Sequence, residues 1–198
     1  RFRVDSTAAR EDQHHPALID LGCGRGEWLD LLRARDVSAR GVDLSNAFVD
    51  DCRSRMLDVV RMDAVSYLSK LPDRCVAAVT SFHLVEHLDF STLLAMLRQA
   101  FRVLAPGGVI ILESPNPENL LVSCTTFHQD PTHRRPLPPG LLEFAVSHIG
   151  FTNTSVQRSS PYPEEFRLEP GTESADRLNN LLYGPQDYAV IAERSPTS

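Results

Sequence analysis

The sequence predicts an α/β fold: a mostly parallel, seven-stranded sheet with helices on both faces and an antiparallel pair at one edge. Three observations carry this. Short apolar runs alternate with helical patterns from residue 17 to residue 114. The turn Gly22-Cys23-Gly24-Arg25-Gly26 joins the first run to the first helix. The runs are continuously apolar, as strands covered on both faces are. Strands joined through helices need right-handed crossovers and so lie parallel.

Taken in order, ALIDL (17–21) is a strand and 27–35 its helix; SARGVDL (38–44) is followed by a helix at 46–55. LDVVRMD (57–63) precedes a helix at 64–70, and CVAAVTSF (75–82) one at 91–104. Pro106-Gly107-Gly108 is expected to stop that helix and to start the strand GGVIILES. Residues 115–140, PNPENLLVSCTTFHQDPTHRRPLPPG, break the rhythm. A long irregular stretch after a central strand lies at the carboxyl edge of the sheet, where open α/β folds bind ligands. A helix at 140–149 and a strand at 150–158 follow, then an insertion at 158–187 with a helix at 174–183, and a last strand YAVIAER. Residues 150–157 and 188–194 form the antiparallel pair. The division is a polar lead-in at 1–16 and one domain at 17–198, with 115–140 as its acceptor-side loop.

Composition narrows the function. A net charge of −6 and a basic set that is arginine apart from Lys70 leave no Lys/Arg stripe for nucleic acid. The longest apolar runs fall short of a membrane span, and no signal peptide is visible. Cys23, Cys52, Cys75 and Cys124 are far apart, without a CxxC pair, so neither a zinc site nor a disulfide framework is expected. A reducing, cytoplasmic location fits this usage.

The glycine turn brings backbone N–H groups and a helix N-terminus close to a ligand, and Asp43 ends the next strand. That is the layout of a nucleoside-binding domain. A dinucleotide fingerprint would place glycine where Glu27 stands. Asp20 and Glu27 flank the turn and oppose a pyrophosphate, which also sets a nicotinamide dehydrogenase aside, but they favour a cation. S-adenosyl-L-methionine carries a sulfonium and an ammonium. Asp43 would accept the ribose hydroxyls, and Asp63-Ala64, ending the third strand, would meet the adenine amino group; Asp63 is equally placed as a helix N-cap.

These segments, DLGCGRG, GVDLS, MDA, SFHLVEHL and LAPGGVIILESPNP, resemble class I S-adenosylmethionine-dependent methyltransferases in order and spacing over residues 17–115. With DLGCGRGEWLDLL, ESPNPENL and FHQDPTHRRPLPPGLLEF, the sequence also looks like the methyltransferase domain of bacterial O-antigen chain-terminating enzymes, to about residue 150. Some of those carry a kinase domain; no kinase motif set is present here. The resemblance implies a Rossmann-like fold. It implies Asp20, Gly22 and Gly24 at the methionine end, Asp43 and Leu44 at the ribose and adenine edge, Asp63 and Ala64 at the adenine, and Phe82 and His83 beside the sulfonium.

Methyl transfer needs alignment, and a sugar hydroxyl also needs a base, whereas a phosphate needs arginines. His83-Leu-Val-Glu86-His87 spells HxxEH, but His83 directly follows a strand, so the one-helix-face geometry of a zinc protease fails and no metal is expected. Glu86 and His87 would face the acceptor, or cap and pack the next helix. In Asp130-Pro-Thr-His133-Arg134-Arg135-Pro136 two prolines stiffen the loop. His133 is the candidate base, oriented by Asp130; Arg134, Arg135 and His128 are candidates for binding the acceptor. His14, His15 and His148 read as surface or packing residues. The expected activity is methylation of a carbohydrate hydroxyl or phosphate at the end of a surface polysaccharide, as in lipopolysaccharide biosynthesis. Small-metabolite O- or N-methylation is the second reading, and a non-catalytic cofactor-binding scaffold in a glycan-assembly complex the third. Glycan-assembly proteins or a second copy of the chain are the macromolecular partners expected.

Overall fold

A computed structural model describes residues 15–196, so His14 and most of the polar lead-in lie outside the described residues. Strand β1 (Leu18–Leu21) is buried at every position, as a continuous apolar run under two helical layers must be. Helix α1 (Glu27–Arg33) starts at Gly26 and buries Leu29 and Leu32. Strand β2 (Ala39–Asp43) lies parallel to β1, with Leu18 opposite Ala39. Helix α2 (Asn46–Ser54), strand β3 (Val59–Arg61), helix α3 (Ala64–Ser69), strand β4 (Val76–Phe82) and helix α4 (Phe90–Val103) follow. The side chains of Ser45, Asp63 and Asp89 each accept the N–H three residues on and so begin α2, α3 and α4. Along α4, Leu93, Met96, Leu97, Ala100 and Val103 form the buried face.

Strand β5 (Leu104–Pro115) completes the parallel part, and helix α5 (Leu120–Cys124), helix α6 (Pro139–Ile149), strand β6 (Thr152–Pro161), helix α7 (Glu173–Leu182) and strand β7 (Pro185–Glu193) close the chain. The seven strands take the order β3-β2-β1-β4-β5-β7-β6. β7 runs antiparallel to both β5 and β6, which gives the expected antiparallel edge. The order reverses between β1 and β4, so a crevice opens at the carboxyl ends of these strands.

Three expectations change. Pro106-Gly107-Gly108 does not precede β5 but lies within it; β4 pairs Val76 with Leu104 and Ala78 with Val109, and the bulge between them takes up the extra residues. The insertion at 158–187 is shorter than expected, because β6 runs on to Pro161 and β7 begins at Pro185 as its partner. Exposed β6 lies at the sheet edge and needs no apolar alternation, which hid where it ends. The stretch at 115–140 is not irregular throughout: it carries α5 and a 3-10 turn at Thr126–Gln129, and α6 begins at Pro139. Asn116 and Asn119, both buried, donate their side-chain N–H groups to the carbonyls of Pro185 and Gly184 (both 3.0 Å), and Arg158 holds Glu118 with two bonds of 2.6 and 3.0 Å. These contacts fasten the loop to β6 and to the start of β7.

Candidate active site

The glycine turn sits at the crevice. Gly22 has φ +70, and a Cβ there would lie 3.0 Å from that of Leu84, so the segment after β4 packs directly on its bare backbone. Gly26 has φ +78, and a Cβ would come within 2.7 Å of Leu57. Asp43 locks the turn in place: its Oδ2 accepts the Gly24 N–H (2.9 Å) and its Oδ1 the Ser45 N–H (2.7 Å).

Two cavities meet at Gly22. One, of about 150 Å³, is lined by Val42, Asp43, Leu44, Met62, Ala64 and Leu88, among others, and suits a flat apolar ring with a polar edge. Leu44 is 66% exposed in its mouth, an apolar side chain left to cover such a ring. Asp63 caps α3 through the Ser66 N–H (2.8 Å) and still lines this cavity, so both readings of it hold. The other cavity, of about 330 Å³, is lined by Asp20, Glu27 and Glu113 together with Gly24, Trp28 and Phe82. Three carboxylates in one cleft suit a cation. Buried Asp20 accepts from Thr80 Oγ1 (2.7 Å); burial, with Asp43 nearby, pushes its carboxyl up to about 7 against the Thr80 bond. Burial and the same two carboxylates push up the Cys23 thiol at the cavity wall, keeping it neutral.

His83 directly follows β4 with φ +53, a strained backbone of the kind that gathers at functional sites. It is not among the residues lining the carboxylate cavity, but it stands beside Glu113, which is. Its Nε2 is 3.5 Å from Glu113 Oε1 and 3.8 Å from Asp187 Oδ1, and its Nδ1 is 3.3 Å from Glu86 Oε1. Glu113 and Glu86 together hold the imidazolium, raising its pKa to about 10 despite burial. His83 is therefore a cation at neutral pH. It stands between the cleft that Glu113 lines and a third cavity, of about 230 Å³, lined by Asp187, Gln186, His133, Thr126, Phe127 and Val122.

The loop at 130–136 docks through its backbone: the Arg134 N–H donates to the Glu86 carbonyl (2.9 Å), and Tyr188 holds Leu137 just beyond. His133 Nδ1 is 2.7 Å from the Phe127 carbonyl, which can only accept, so Nδ1 carries the proton and in the neutral ring Nε2 is the atom with the lone pair. Nε2 is 3.9 Å from Glu86 Oε1 and 3.9 Å from Asp130 Oδ2. The Thr132 hydroxyl donates to Asp130 (2.6 Å) and accepts from His87 Nδ1 (2.9 Å), which fixes the free atom of His87 as Nε2 as well. Glu86 is fully buried; Ser114 donates to its Oε2, and its Oε1 has no hydrogen-bond partner.

Glu86, His87, Asp130 and His133 thus come together. The other three acceptor candidates do not. Arg134 lies on the surface 3.9 Å from Asp89, Arg135 stacks over Phe90 at 5.1 Å, and exposed His128 spends Nε2 on the Ser123 carbonyl (3.1 Å). The backbone pin at Arg134 aims both guanidiniums at the start of α4 instead of the cavity. Sequence reasoning missed Glu113, Trp28 and Asp187. Glu113 lies near the carboxyl end of β5, opposite Phe82 at the end of β4, a position that could have found it. His148 stacks on Phe144 at the surface, as expected.

A family model described as "Methyltransferase domain" matches residues 4–156. A crystal structure of a SAM-dependent methyltransferase from Archaeoglobus fulgidus superposes with a TM-score of 0.85 at 34% identity, covering 89% of this chain and 85% of that one. A Mycolicibacterium smegmatis protein named "Probable S-adenosylmethionine-dependent methyltransferase" is 37% identical over 102 residues, half of this chain and 38% of the relative. The trans-aconitate 2-methyltransferase of Methylobacterium radiotolerans is 36% identical over 121 residues, 59% of this chain and 40% of its own length. The chain therefore spans well under two thirds of these two curated relatives.

Proposed function

We propose that this chain, which belongs to the S-adenosylmethionine-dependent methyltransferase family, transfers a methyl group to a hydroxyl of a carbohydrate acceptor, with residues 17–198 as the methyltransferase domain. The residues fit the cofactor its family uses. The apolar cavity under Leu44 matches an adenine, Asp43 a ribose, and the cleft of Asp20, Glu27 and Glu113 the cationic methionine end. When bound, that cofactor supplies an activated methyl on a sulfonium and hence the driving force. The chain's own residues align the acceptor, exclude water and take up the charge of the acceptor proton.

The observation that carries the acceptor reading is the third cavity. Phe127 and Val122 offer an apolar floor for a sugar ring, while Asp187, Gln186 and Thr126 offer hydrogen-bond partners for hydroxyls. The same wall disfavours a phosphate, because Asp187 is acidic and Arg134 and Arg135 lie elsewhere. A cavity of about 230 Å³ takes one ring, which fits the terminal sugar of a glycan whose remainder stays outside. The relatives' names favour a second reading, a small metabolite in the same cavity, as trans-aconitate is for one of them. A radiolabelled methyl donor offered with glycans and with small hydroxy acids separates the two. Label on a glycan hydroxyl supports the proposal; label on carboxylates or amines alone overturns it.

Asp20 sets a pH dependence. The cationic cofactor favours its carboxylate, yet in the free protein the carboxyl titrates at about 7. S-adenosylmethionine affinity is expected to fall on the order of tenfold for each pH unit below that value. The sign for stability is opposite. With its pKa raised from 3.8, neutral Asp20 stabilises the unliganded fold below about 4, and this contribution is lost as pH rises through about 7. Calorimetric titrations from pH 5.5 to 7.5 check this; an affinity slope that persists unchanged in Asp20→Asn would assign the effect to another group.

A further inference from the structure

We propose that Glu86, His87 and His133 bind one divalent first-row transition-metal ion, and that the acceptor hydroxyl ligates to it. The second half rests on the hydroxyl-methylation reading above; the first does not. One ligand atom from each of the three residues lies within 4.8 Å of the others. The sequence argument against a metal turned on His83, and His83 is indeed not in this set; the second histidine comes from the distant 130–136 loop.

Three independent features point to a cation. The Oε1 of Glu86 is buried and makes no hydrogen bond; His83 Nδ1 stands 3.3 Å away on one side, which leaves this oxygen lone-pair capacity to ligate an ion. Both imidazoles present a lone pair at Nε2 because both Nδ1 protons are committed, His133 to the Phe127 carbonyl and His87 to Thr132, itself bonded to Asp130. Such outer partners are what metal-binding histidines carry. Finally, Asp130 adds a second carboxylate beside the cluster, its Oδ2 3.9 Å from His133 Nε2.

Two imidazoles and a carboxylate select manganese, iron, cobalt or zinc over magnesium or calcium. Ligand atoms around such an ion lie about 3–3.5 Å apart at bond lengths of about 2.0–2.2 Å. Glu86 Oε1 and His133 Nε2 are 3.9 Å apart and the whole set lies within 4.8 Å, so binding an ion draws the ligand atoms inward by about 1 Å. Three protein ligands leave positions open, and His133 also lines the acceptor cavity. A hydroxyl ligated there loses its proton to solvent more readily. Its oxygen pair then forms the bond to the methyl carbon as the carbon–sulfur pair stays on sulfur.

The test is uptake of Co²⁺ or Mn²⁺ by the chelator-treated chain, read by equilibrium dialysis and by the visible spectrum of bound Co²⁺. One equivalent is expected, with binding at least about tenfold weaker in Glu86→Gln and His133→Ala. S-adenosylmethionine binding reports that each variant is folded, since neither residue lines the cofactor cavities. No uptake, or uptake unchanged in both variants, overturns the site. Hydroxyl methylation at full rate by metal-free protein overturns the ligation while leaving the acceptor reading intact. Uptake in a chain that methylates no hydroxyl supports the site and overturns that reading alone.

Discussion

Asp43→Ala is expected to weaken S-adenosylmethionine binding by about 10²–10⁴-fold, which by calorimetry would read as no detectable heat. Two losses combine. Each oxygen of Asp43 already accepts one backbone N–H, from Gly24 or Ser45, and has a second lone pair for a ribose hydroxyl. Charge-assisted bonds to a ligand contribute about 1.5–3 kcal/mol each, so losing two gives that range. Removal also unties the glycine turn from β2 and leaves two N–H groups without their acceptor. Asp43→Asn should fall in between, since its amide keeps one acceptor oxygen but turns an NH₂ toward a backbone donor. Binding by a folded Asp43→Ala chain at the parent affinity would remove Asp43 from the cofactor site.

The local structure of the half proposed for the donor was largely legible in the sequence. Backbone chemistry is local: Gly22 and Gly26 need positive φ, Asp43 ends an apolar run, and both signals lie within a few residues of the atoms they position. The acceptor half was legible only as a list of residue types. Nothing near Glu86 announces that it is fully buried, because its burial depends on Ser114 and on the 130–136 loop closing over it. His133 and Arg134 are adjacent in sequence, yet one faces the cavity and the other solvent. That choice is made by the Arg134 N–H bond to Glu86, a contact between segments 48 residues apart in numbering. The sequence reading ended edge strand β6 at 158 and not 161 for a related reason: it is held by pairing with β7, and an exposed strand carries no apolar period.

His133→Ala is expected to lower kcat by about 10²–10⁴-fold, the usual contribution of a group that assists proton removal in the transition state. The affinity for S-adenosylmethionine should stay within about twofold, because an effect confined to the transition state leaves ground-state binding alone. The geometry requires this split. His133 lines the acceptor cavity and neither cofactor cavity, and its Nε2 is the lone pair that the Phe127 carbonyl holds in readiness. Positive charge arriving at that atom, as a proton or as a metal ion, meets Glu86 Oε1 and Asp130 Oδ2, each 3.9 Å away. Asp130→Asn keeps the turn through its acceptor oxygen but removes that charge, so it should lower kcat by less and leave His133 in place. Added imidazole offers a second readout: partial recovery in His133→Ala shows that the ring's chemistry, not only its volume, was lost. A parallel fall in cofactor affinity and kcat would instead mean that the 130–136 loop supports the fold of the crevice, and that His133 is no part of the chemistry.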